Sequence, residues 1–326
     1  MVGRRRTCAR FAAIAVTLMA IGACGGCSGA SGTSDRPAAN PTTTTTPATC
    51  RGGPVRASKD VAYRRVDGVD PNLLSLDAYV PHRDAGCAPA PIVVYVHGGG
   101  FARGDKAHRI SDKVRLFTDE GWTFVSVNYR LSPTPASPDR ADPIHHPIHE
   151  QDAAAAVAWV EDHAGELGGD PAQVFLMGHS SGAFLVSLLS TDRSFLADAA
   201  VSTEHVRCTV SLDTEYDVVG QVAQGGAQER LYRNAFGDDP ATWIQGSPIE
   251  HTAAGTDRPR FFVVTRGAAR RVAQAKAFVD DLDTGGTEAT FLDVSPMTHD
   301  EVNAAVGASG DTTVTPAVMA FLRSCR

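Results

Sequence analysis

Hydrophobic positions divide the chain of 326 residues into three parts. Residues 11–21 are a short apolar run behind three arginines at positions 4–6, whereas Gly, Ser, Thr, Pro and Ala dominate residues 25–49. From residue 50 onward, apolar runs of strand length alternate with longer stretches of helical periodicity. This alternation indicates an α/β domain with a mostly parallel central sheet and helices on both faces. The length of this last part suits one such domain, residues 50–326.

Short apolar runs between turn residues predict the strands. The first two form a hairpin, in which residues 60–66 pair with residues 73–80. The later predicted strands are 92–96, 123–128, 174–177, 209–212, 260–265 and 289–294. The predicted helices are 111–120, 150–164, 182–189, 272–282 and 316–323. The segment between Asp217 and Arg258 is short and polar, so the sequence predicts no large lid.

The first 23 residues have the pattern of an export signal, with basic residues before an apolar run. The run is too short to span a bilayer comfortably, and it ends in Ile-Gly-Ala-Cys24, which resembles a bacterial lipobox. The resemblance implies cleavage before Cys24, lipid on that cysteine, and anchoring to the outer face of the cell membrane. Residues 24–49 are then expected to be a disordered tether, because they cannot bury enough apolar surface to offset their ordering entropy. Ordinary secretion, with Cys24 and Cys27 unmodified, is the alternative.

Four cysteines remain in the predicted domain: Cys50, Cys87, Cys208 and Cys325. An even number in an exported protein suggests two disulfides, for which three pairings exist. Cys50 and Cys87 flank the hairpin, while Cys208 opens a strand and Cys325 closes the last helix. Strand starts and helix ends lie at the same edge of a right-handed βα sheet. We therefore expect Cys50–Cys87 and Cys208–Cys325, with free buried thiols as the alternative.

The charge balance narrows the possible partners. A formal net charge of −7 gives no support for binding nucleic acid or an anionic membrane surface. The spacing of Cys and His resembles no zinc site. We expect neither a metal nor an organic cofactor.

A strained turn is predicted between the apolar strand at 174–177 and the helix that follows. Gly178-His-Ser180-Ser-Gly182 fits the pattern G-x-S-x-G, the nucleophile elbow of α/β-hydrolases. The turn lifts the Ser180 hydroxyl off the sheet, where a histidine and a substrate carbonyl can reach it. The flanking glycines let strand and helix approach closely, and the amide of Ser181 is left free to hold an oxyanion.

A second glycine motif ends the strand at 92–96. His97-Gly-Gly-Gly100 matches the HGGG motif of lipases and esterases, whose glycine amides complete the oxyanion hole. We assign the amides of Gly99 and Gly100 to this role. A merely flexible loop is the alternative, which the order of the two motifs and their position at strand ends disfavour.

Several ordered motifs resemble the esterase branch of the α/β-hydrolases, near the carboxylesterase, feruloyl-esterase-like and hormone-sensitive-lipase-like groups. The matching stretches are Leu76-Asp-Ala-Tyr-Val-Pro81, His97-Gly-Gly-Gly-Phe-Ala-Arg-Gly-Asp105, Val127-Asn-Tyr-Arg-Leu-Ser132 and Gly169-Asp-Pro-Ala-Gln-Val174. The resemblance implies the α/β-hydrolase fold and a serine esterase, without identifying a substrate.

The same resemblance implies that His299 is the general base. This residue lies in a loop after the last strand and before a helical stretch, in the chain order serine then histidine. We interpret the clustered His145, His146 and His149 as polar loop residues, which could line the entrance of the site. His179 lies within the elbow and cannot easily turn back onto the Ser180 hydroxyl.

The acid of the expected triad departs from the family pattern. Family members place Asp or Glu after the next-to-last strand, where this chain has Arg270. Arginine cannot orient or stabilise an imidazolium. Asp213, which ends the preceding strand, is the best replacement, because some lipases of this fold place their acid there and its strand tip lies between the elbow and the histidine loop.

Other carboxylates stay open as alternatives. Glu215 is the next best candidate, and Asp217 is better explained as a helix cap. Asp293 and Asp300 lie near His299 in the sequence, but their directions are not encoded locally. An incomplete triad with no acid is the remaining possibility.

Together these residues predict a cofactor-independent hydrolase that cleaves small-molecule carboxylic esters, with short acyl chains, through an acyl-enzyme on Ser180. An amide or arylformamide bond is an alternative target of the same site. A catalytically silent fold with a role in binding or in the cell envelope is the alternative from another class, motivated by Arg270.

Overall fold

The computed structural model describes residues 50–133, 144–253 and 258–326. The predicted export signal and tether, with Cys24, lie outside the described residues.

Eight strands form one sheet in the order β1-β2-β4-β3-β5-β6-β7-β8. The first two strands and the β2–β4 pair are antiparallel, and all later neighbours run parallel. The strands are β1 Val55–Ala62, β2 Ser75–Pro81, β3 Ala90–Val96, β4 Thr123–Val127, β5 Gly169–His179, β6 Val206–Leu212, β7 Arg260–Thr265 and β8 Ala289–Asp293. This arrangement confirms the predicted mostly parallel α/β fold.

Helices follow the parallel strands, and short 3-10 turns lie at Pro71–Leu74, Thr203–His205 and Pro248–His251. The α-helices are α1 Ser111–Asp119, α2 Ile148–Asp162, α3 Ser181–Thr191, α4 Ser194–Asp198, α5 Val218–Ala223, α6 Gly226–Phe236, α7 Pro240–Gln245, α8 Ala269–Thr284, α9 His299–Ala305 and α10 Val314–Ser324. Within the described ranges, no helix has both the length and the apolar character needed to cross a membrane.

The core lies on both faces of the sheet, because alternate residues of each buried strand point to opposite sides. Along β3, Val94 packs in the cluster that contains α2 and α3, whereas Val93 packs with α1 and α10. Along β7, Phe261 packs against α8 and Phe262 against α10. Strands covered on both faces explain the uninterrupted apolar runs in the sequence.

Two local expectations were wrong in detail. The first strand covers Val55–Ala62 and not 60–66, since the β1–β2 register shifts between Ser58 and Val61, where Asp60 has a φ of 54°. His299 begins α9 instead of preceding it in a loop, because Thr298 and Glu301 form a capping box. The polar segment after Asp217 contains three short helices, α5 to α7, which agrees with the expectation of no large lid.

Both expected cysteine pairs are joined in the structure. Cys50 is bonded to Cys87 across the β1–β2 region, and Cys208 of β6 is bonded to Cys325 after α10. The second disulfide closes a sequence separation of 117 residues. It ties the start of a central strand to the end of the chain, which constrains the unfolded ensemble strongly.

Candidate active site

Ser180 lies at the apex of a strained turn between β5 and α3. Its φ of 55° and ψ of −125° are unusual for a residue with a side chain. Its amide donates to the carbonyl of Leu212 at 3.0 Å, which ties the turn to the end of β6. A Cβ on Gly178 would lie 2.3 Å from the carbonyl oxygen of Gly182, so the turn admits only glycine there. The elbow predicted from the sequence is therefore present.

The other elbow glycine brings the nucleophile close to the HGGG loop. A Cβ on Gly182 would lie 2.1 Å from the carbonyl oxygen of Val96, so α3 packs directly on the end of β3. As a result, a Cβ on Gly98 would lie only 2.9 Å from the Cβ of Ser180. Two motifs that are about 80 residues apart in the chain thus meet at one edge of the sheet.

Three backbone amides without hydrogen-bond partners among the described residues belong to residues beside Ser180. Gly99 and Gly100 have φ values of 137° and 62°, which turn the loop under the nucleophile. Within the described part of the chain, no hydrogen bond uses the amides of Gly99, Gly100 or Ser181. These three residues line the cavities next to Ser180. The geometry can hold an oxyanion as the sequence predicted.

Sequence reasoning missed the part played by Tyr129 under this loop. Its hydroxyl lies 3.3 Å from the carbonyl oxygen of His97 and 3.3 Å from Ser181 Oγ. Its ring stacks on that of His97 at 4.8 Å between centroids. Burial raises the pKa of Tyr129 far above its usual value, so the hydroxyl stays a neutral donor. Tyr129 therefore joins the glycine loop to the elbow.

Asp213 is the carboxylate that meets the histidine. It follows β6 with a φ of 53°, is fully buried, and its Oδ2 lies 2.6 Å from His299 Nδ1. This contact leaves Nε2 of His299 for the nucleophile, and both Ser180 and His299 line the same two cavities. The structure thus joins Asp213 to His299 and places Ser180 beside the same cavities as His299.

Two arginines hold Asp213 in its ionised form. Arg266 Nε donates to Asp213 Oδ2 at 2.7 Å, and Arg271 donates to Oδ1 through Nε at 3.0 Å and through its terminal nitrogen at 2.8 Å. Burial alone would raise the pKa of Asp213. The hydrogen bond from His299 and the charges of Arg271 and Arg266 outweigh burial and lower the pKa to about 2. The carboxylate is therefore negative wherever a neutral imidazole can act as a base.

Both arginines lie in the stretch after β7, where family members have the acid of the triad and this chain has none at the usual position. Arg270, the residue at the expected acid position, does not face the histidine, because its guanidinium is exposed and binds Gln224. Its neighbours Arg266 and Arg271 turn inward instead. Sequence reasoning treated this stretch only as a lost acid, although arginines after β7 are the natural counter-ions for an acid moved to the end of β6.

The alternative acids are occupied elsewhere. Glu215 binds Arg271 and not His299. Asp217 caps α5 by accepting from the Gly220 amide at 2.8 Å, as expected. Asp293 accepts from the Ser295 amide, and Asp300 lies 3.5 Å from Arg109.

His179 packs against His299. Its Nε2 lies 3.0 Å from the carbonyl oxygen of His299, and the two rings lie 4.4 Å apart. Burial, aided by the charge of His299, lowers the pKa of His179 to about 4. The neutral ring therefore donates to the His299 carbonyl and supports the start of α9, without reaching back to Ser180.

Of the three clustered histidines, His145 and His146 lie before α2 as expected, but His149 was misread. His149 does not line the entrance of the site: it is fully buried in α2, where Nε2 lies 3.0 Å from Ser132 Oγ and the ring packs against Phe101. His146 packs on Phe236 beside the buried Glu150. The helix begins at Ile148, so its first turn buries polar residues that resembled a loop in the sequence.

Two cavities meet at Ser180 and His299. The smaller, about 260 Å³, is walled by Phe101, Leu231 and Tyr232. The larger, about 580 Å³, lies on the side of the glycine loop. A carbonyl placed between them could contact the hydroxyl of Ser180 and the loop amides together.

Known proteins resemble this chain over much of its length. The sequence profile of BD-FAE matches residues 76–258, which is more than half of the chain. The chain belongs to the BD-FAE family. This BD-FAE protein is 30% identical over 204 residues to "Probable carboxylic ester hydrolase LipM" of Mycobacterium tuberculosis, covering 59% of this chain and 45% of LipM. It is 27% identical over 252 residues to esterase LipC of the same organism, covering 73% and 58%. The chain thus spans about half the length of the curated relatives it matches.

Solved structures of low identity share its fold. Esterase B from Lactobacillus rhamnosis superposes with a TM-score of 0.67 at 18% identity, over 83% of this chain and 87% of that enzyme. Esterase 2 of Thermogutta terrifontis gives a TM-score of 0.61 at 20% identity, over 83% and 92%. The BD-FAE protein therefore has the α/β-hydrolase fold, as the sequence motifs indicated.

Proposed function

We propose that this BD-FAE protein is a serine hydrolase that cleaves carboxylic esters. Ser180 Oγ attacks the acyl carbon while His299 Nε2 takes its proton, and Asp213 orients the imidazole and stabilises its charge. The amides of Gly99, Gly100 and Ser181 stabilise the tetrahedral oxyanion. His299 then protonates the leaving alcohol, and water releases the acyl group by the same steps in reverse.

The contact between Asp213 and His299 carries this proposal. Through this contact, Asp213 supplies the acid that is absent after β7, where family members have it. The site also contains the strained backbone of Ser180 and the unused amides of the glycine loop. The silent-scaffold alternative rested on Arg270, which lies away from the histidine. The names of LipM and LipC and of the esterase structures support an ester as the substrate.

A short acyl group suits the smaller cavity. Phe101 and Tyr232 are both buried, and they close the space that a long chain would need. Leu231 of α6 reaches over Gly100 and narrows the opening further. We assign the acyl group to this cavity and the alcohol to the larger one.

A substrate panel with an activity-based probe tests the function. A fluorophosphonate should label the purified protein at Ser180, located by peptide mass spectrometry. Acetyl and butyryl aryl esters should be cleaved at least about 10-fold faster, by kcat/KM, than palmitoyl esters and than formyl-anilides. Faster cleavage of the formyl-anilides would move the target to an amide bond, and absence of both labelling and hydrolysis would contradict the proposal.

We also propose that the protein is exported and lipid-anchored through Cys24. Support comes from the basic and apolar N-terminal segment and its lipobox-like end, which lie outside the described residues. In a bacterial host, the protein should partition into detergent and Cys24→Ser should be found in the aqueous phase. Equal partitioning of the two forms would refute the anchor, and Cys27→Ser serves as the control.

A further inference from the structure

The larger cavity contains cations that the reaction steps do not use. Besides Ser180 and His299, its walls include Arg103 and Arg109, which follow the glycine loop. The Arg103 side chain lies against the loop, since a Cβ on Gly99 would be 3.2 Å from its Cγ. In the described ranges, no carboxylate lies within ion-pair distance of Arg103. Arg103 is thus a solvent-exposed, unpaired arginine of the cavity wall beside the proposed oxyanion hole.

Arg109 adds a second guanidinium on the same wall. Its NH1 lies 3.5 Å from Asp300 Oδ2, but the two side chains are 48% and 71% exposed. Exposed pairs of this kind are weak because solvent screens them. Arg109 is thus available to a ligand that enters the cavity.

A third cation, Lys113, lies behind residues that line the larger cavity. Lys113 is 1% exposed, and its Nζ donates to the carbonyl of Asn303 at 2.7 Å and lies 5.3 Å from the centre of the Tyr95 ring. Tyr95 and Asn303 both line the cavity. No carboxylate within the described residues forms an ion pair with Lys113. Burial lowers its pKa to about 8, so the ammonium remains mostly charged at neutral pH.

The field of this buried charge reaches the site because little solvent screens it. His179 lines the same cavity, and the charge of Lys113 acts with burial to lower its pKa. The same positive potential would stabilise an anionic ligand in the cavity.

The cavity walls include two carboxylates, and in the described ranges neither lies within ion-pair distance of Arg103. Asp105 is engaged internally, because it accepts from the side chains of Asn72 at 3.1 Å and Asn128 at 3.0 Å and from the Ala107 amide at 2.8 Å. Asp300 is the other carboxylate, and Arg109 faces it. The wall therefore offers one unpaired and one weakly paired guanidinium above a buried ammonium, in a chain whose overall charge is −7.

We propose that the natural ester carries an anionic group, a carboxylate in the simplest case, which binds Arg103 and Arg109 in the larger cavity. A guanidinium holds a carboxylate through two parallel hydrogen bonds, and these gain strength from the charge on both partners. This inference rests on the proposed ester hydrolysis and adds the class of substrate.

Matched ester pairs test the inference. One pair differs in the acyl part, 4-nitrophenyl hydrogen succinate against its methyl ester, and the other in the alcohol part, 4-acetoxybenzoate against its methyl ester. Because the acyl group is assigned to the smaller cavity, we expect kcat/KM to be about 10-fold higher for 4-acetoxybenzoate than for its methyl ester, and we expect no such preference in the succinate pair. Arg103→Gln and Arg109→Gln should each lower this ratio several-fold, and about 1 M sodium chloride should lower it in the unmodified protein.

Arg270→Gln is the matched control, since Arg270 is an exposed arginine outside both cavities, and its ratio should equal that of the unmodified protein. Equal or faster turnover of methyl 4-acetoxybenzoate would overturn the inference while leaving ester hydrolysis intact. A preference that survives both arginine substitutions would overturn it too. Hydrolysis of none of the four esters would instead contradict the proposed function.

Discussion

Ser180→Ala is expected to lower kcat for a short-chain aryl ester about 10⁶-fold, or about 8 kcal/mol of transition-state stabilisation. The substitution removes the only atom that can form the acyl-enzyme in the proposed mechanism. Alanine is small enough for the strained turn, so Gly178 and Gly182 keep their close packing. Residual catalysis over water would come from the oxyanion hole and binding. Steady-state kinetics and fluorophosphonate labelling measure the loss.

Ser181→Ala is the matched control. Ser181 is the next residue, and its hydroxyl meets Tyr129, but its proposed part in catalysis is made by its backbone amide. We expect this variant to keep turnover within about 10-fold of the unmodified protein. Turnover that survives in Ser180→Ala, or that falls equally in both variants, would contradict the assignment of the nucleophile.

Asp213→Asn is expected to lower kcat about 10⁴-fold, which is about 5 kcal/mol. An amide in this place favours the wrong tautomer of His299, whose Nδ1 lies 2.6 Å from Oδ2 in the structure. It also leaves Arg266 without its buried carboxylate partner. We therefore expect thermal stability to fall as well, and the kinetics must be measured well below the midpoint of unfolding.

Glu215→Gln separates the two effects. This substitution removes another carboxylate from Arg271 but touches no atom of His299. Stability should fall modestly while turnover stays within about 10-fold of the unmodified protein. If Glu215→Gln is inactive and Asp213→Asn is not, the acid is Glu215, and the contact seen between Asp213 and His299 is only structural.

The pH dependence follows from the sign of the Asp213 shift. Because its pKa is lowered to about 2, the folded state gains stability from this group above the ordinary value near 4. That contribution is lost as the pH falls from about 4 through about 2. Asp213 should therefore add nothing to the pH dependence of turnover between neutral and mildly acidic conditions.

Local sequence patterns gave correct predictions where the site depends on backbone conformation. The elbow around Ser180 and the loop at Gly98–Gly100 need particular φ values and close approaches, which glycine at fixed spacing provides. Strand runs were equally readable, because strands buried on both faces contain uninterrupted apolar residues. The Cys208–Cys325 pair followed from the general handedness of βα units, and the Cys50–Cys87 pair from the position of these two cysteines on either side of the predicted hairpin.

Expectations failed where a residue's partners come from distant parts of the chain. His149 looked like a loop residue, yet the packing of α2 buries it against Phe101. Arg270 looked like the decisive departure, yet Arg266 and Arg271 are the arginines that meet the acid. One position along the first turn of α8 separates an inward guanidinium from an exposed one, and no local signal encodes that difference.

The sequence by itself determined the fold class, the nucleophile turn and the glycine loop, since each depends on residues that are near one another in the chain, and its resemblance to the family indicated the histidine. Only the tertiary structure decided which carboxylate meets His299, what keeps that carboxylate ionised, and which cations face the substrate. Those properties depend on the ends of β6, β7 and the starts of α8 and α9 meeting at one edge of the sheet. Parallel topology brings them there across more than 80 residues of chain, and the distances and burial that set their charges exist only after folding.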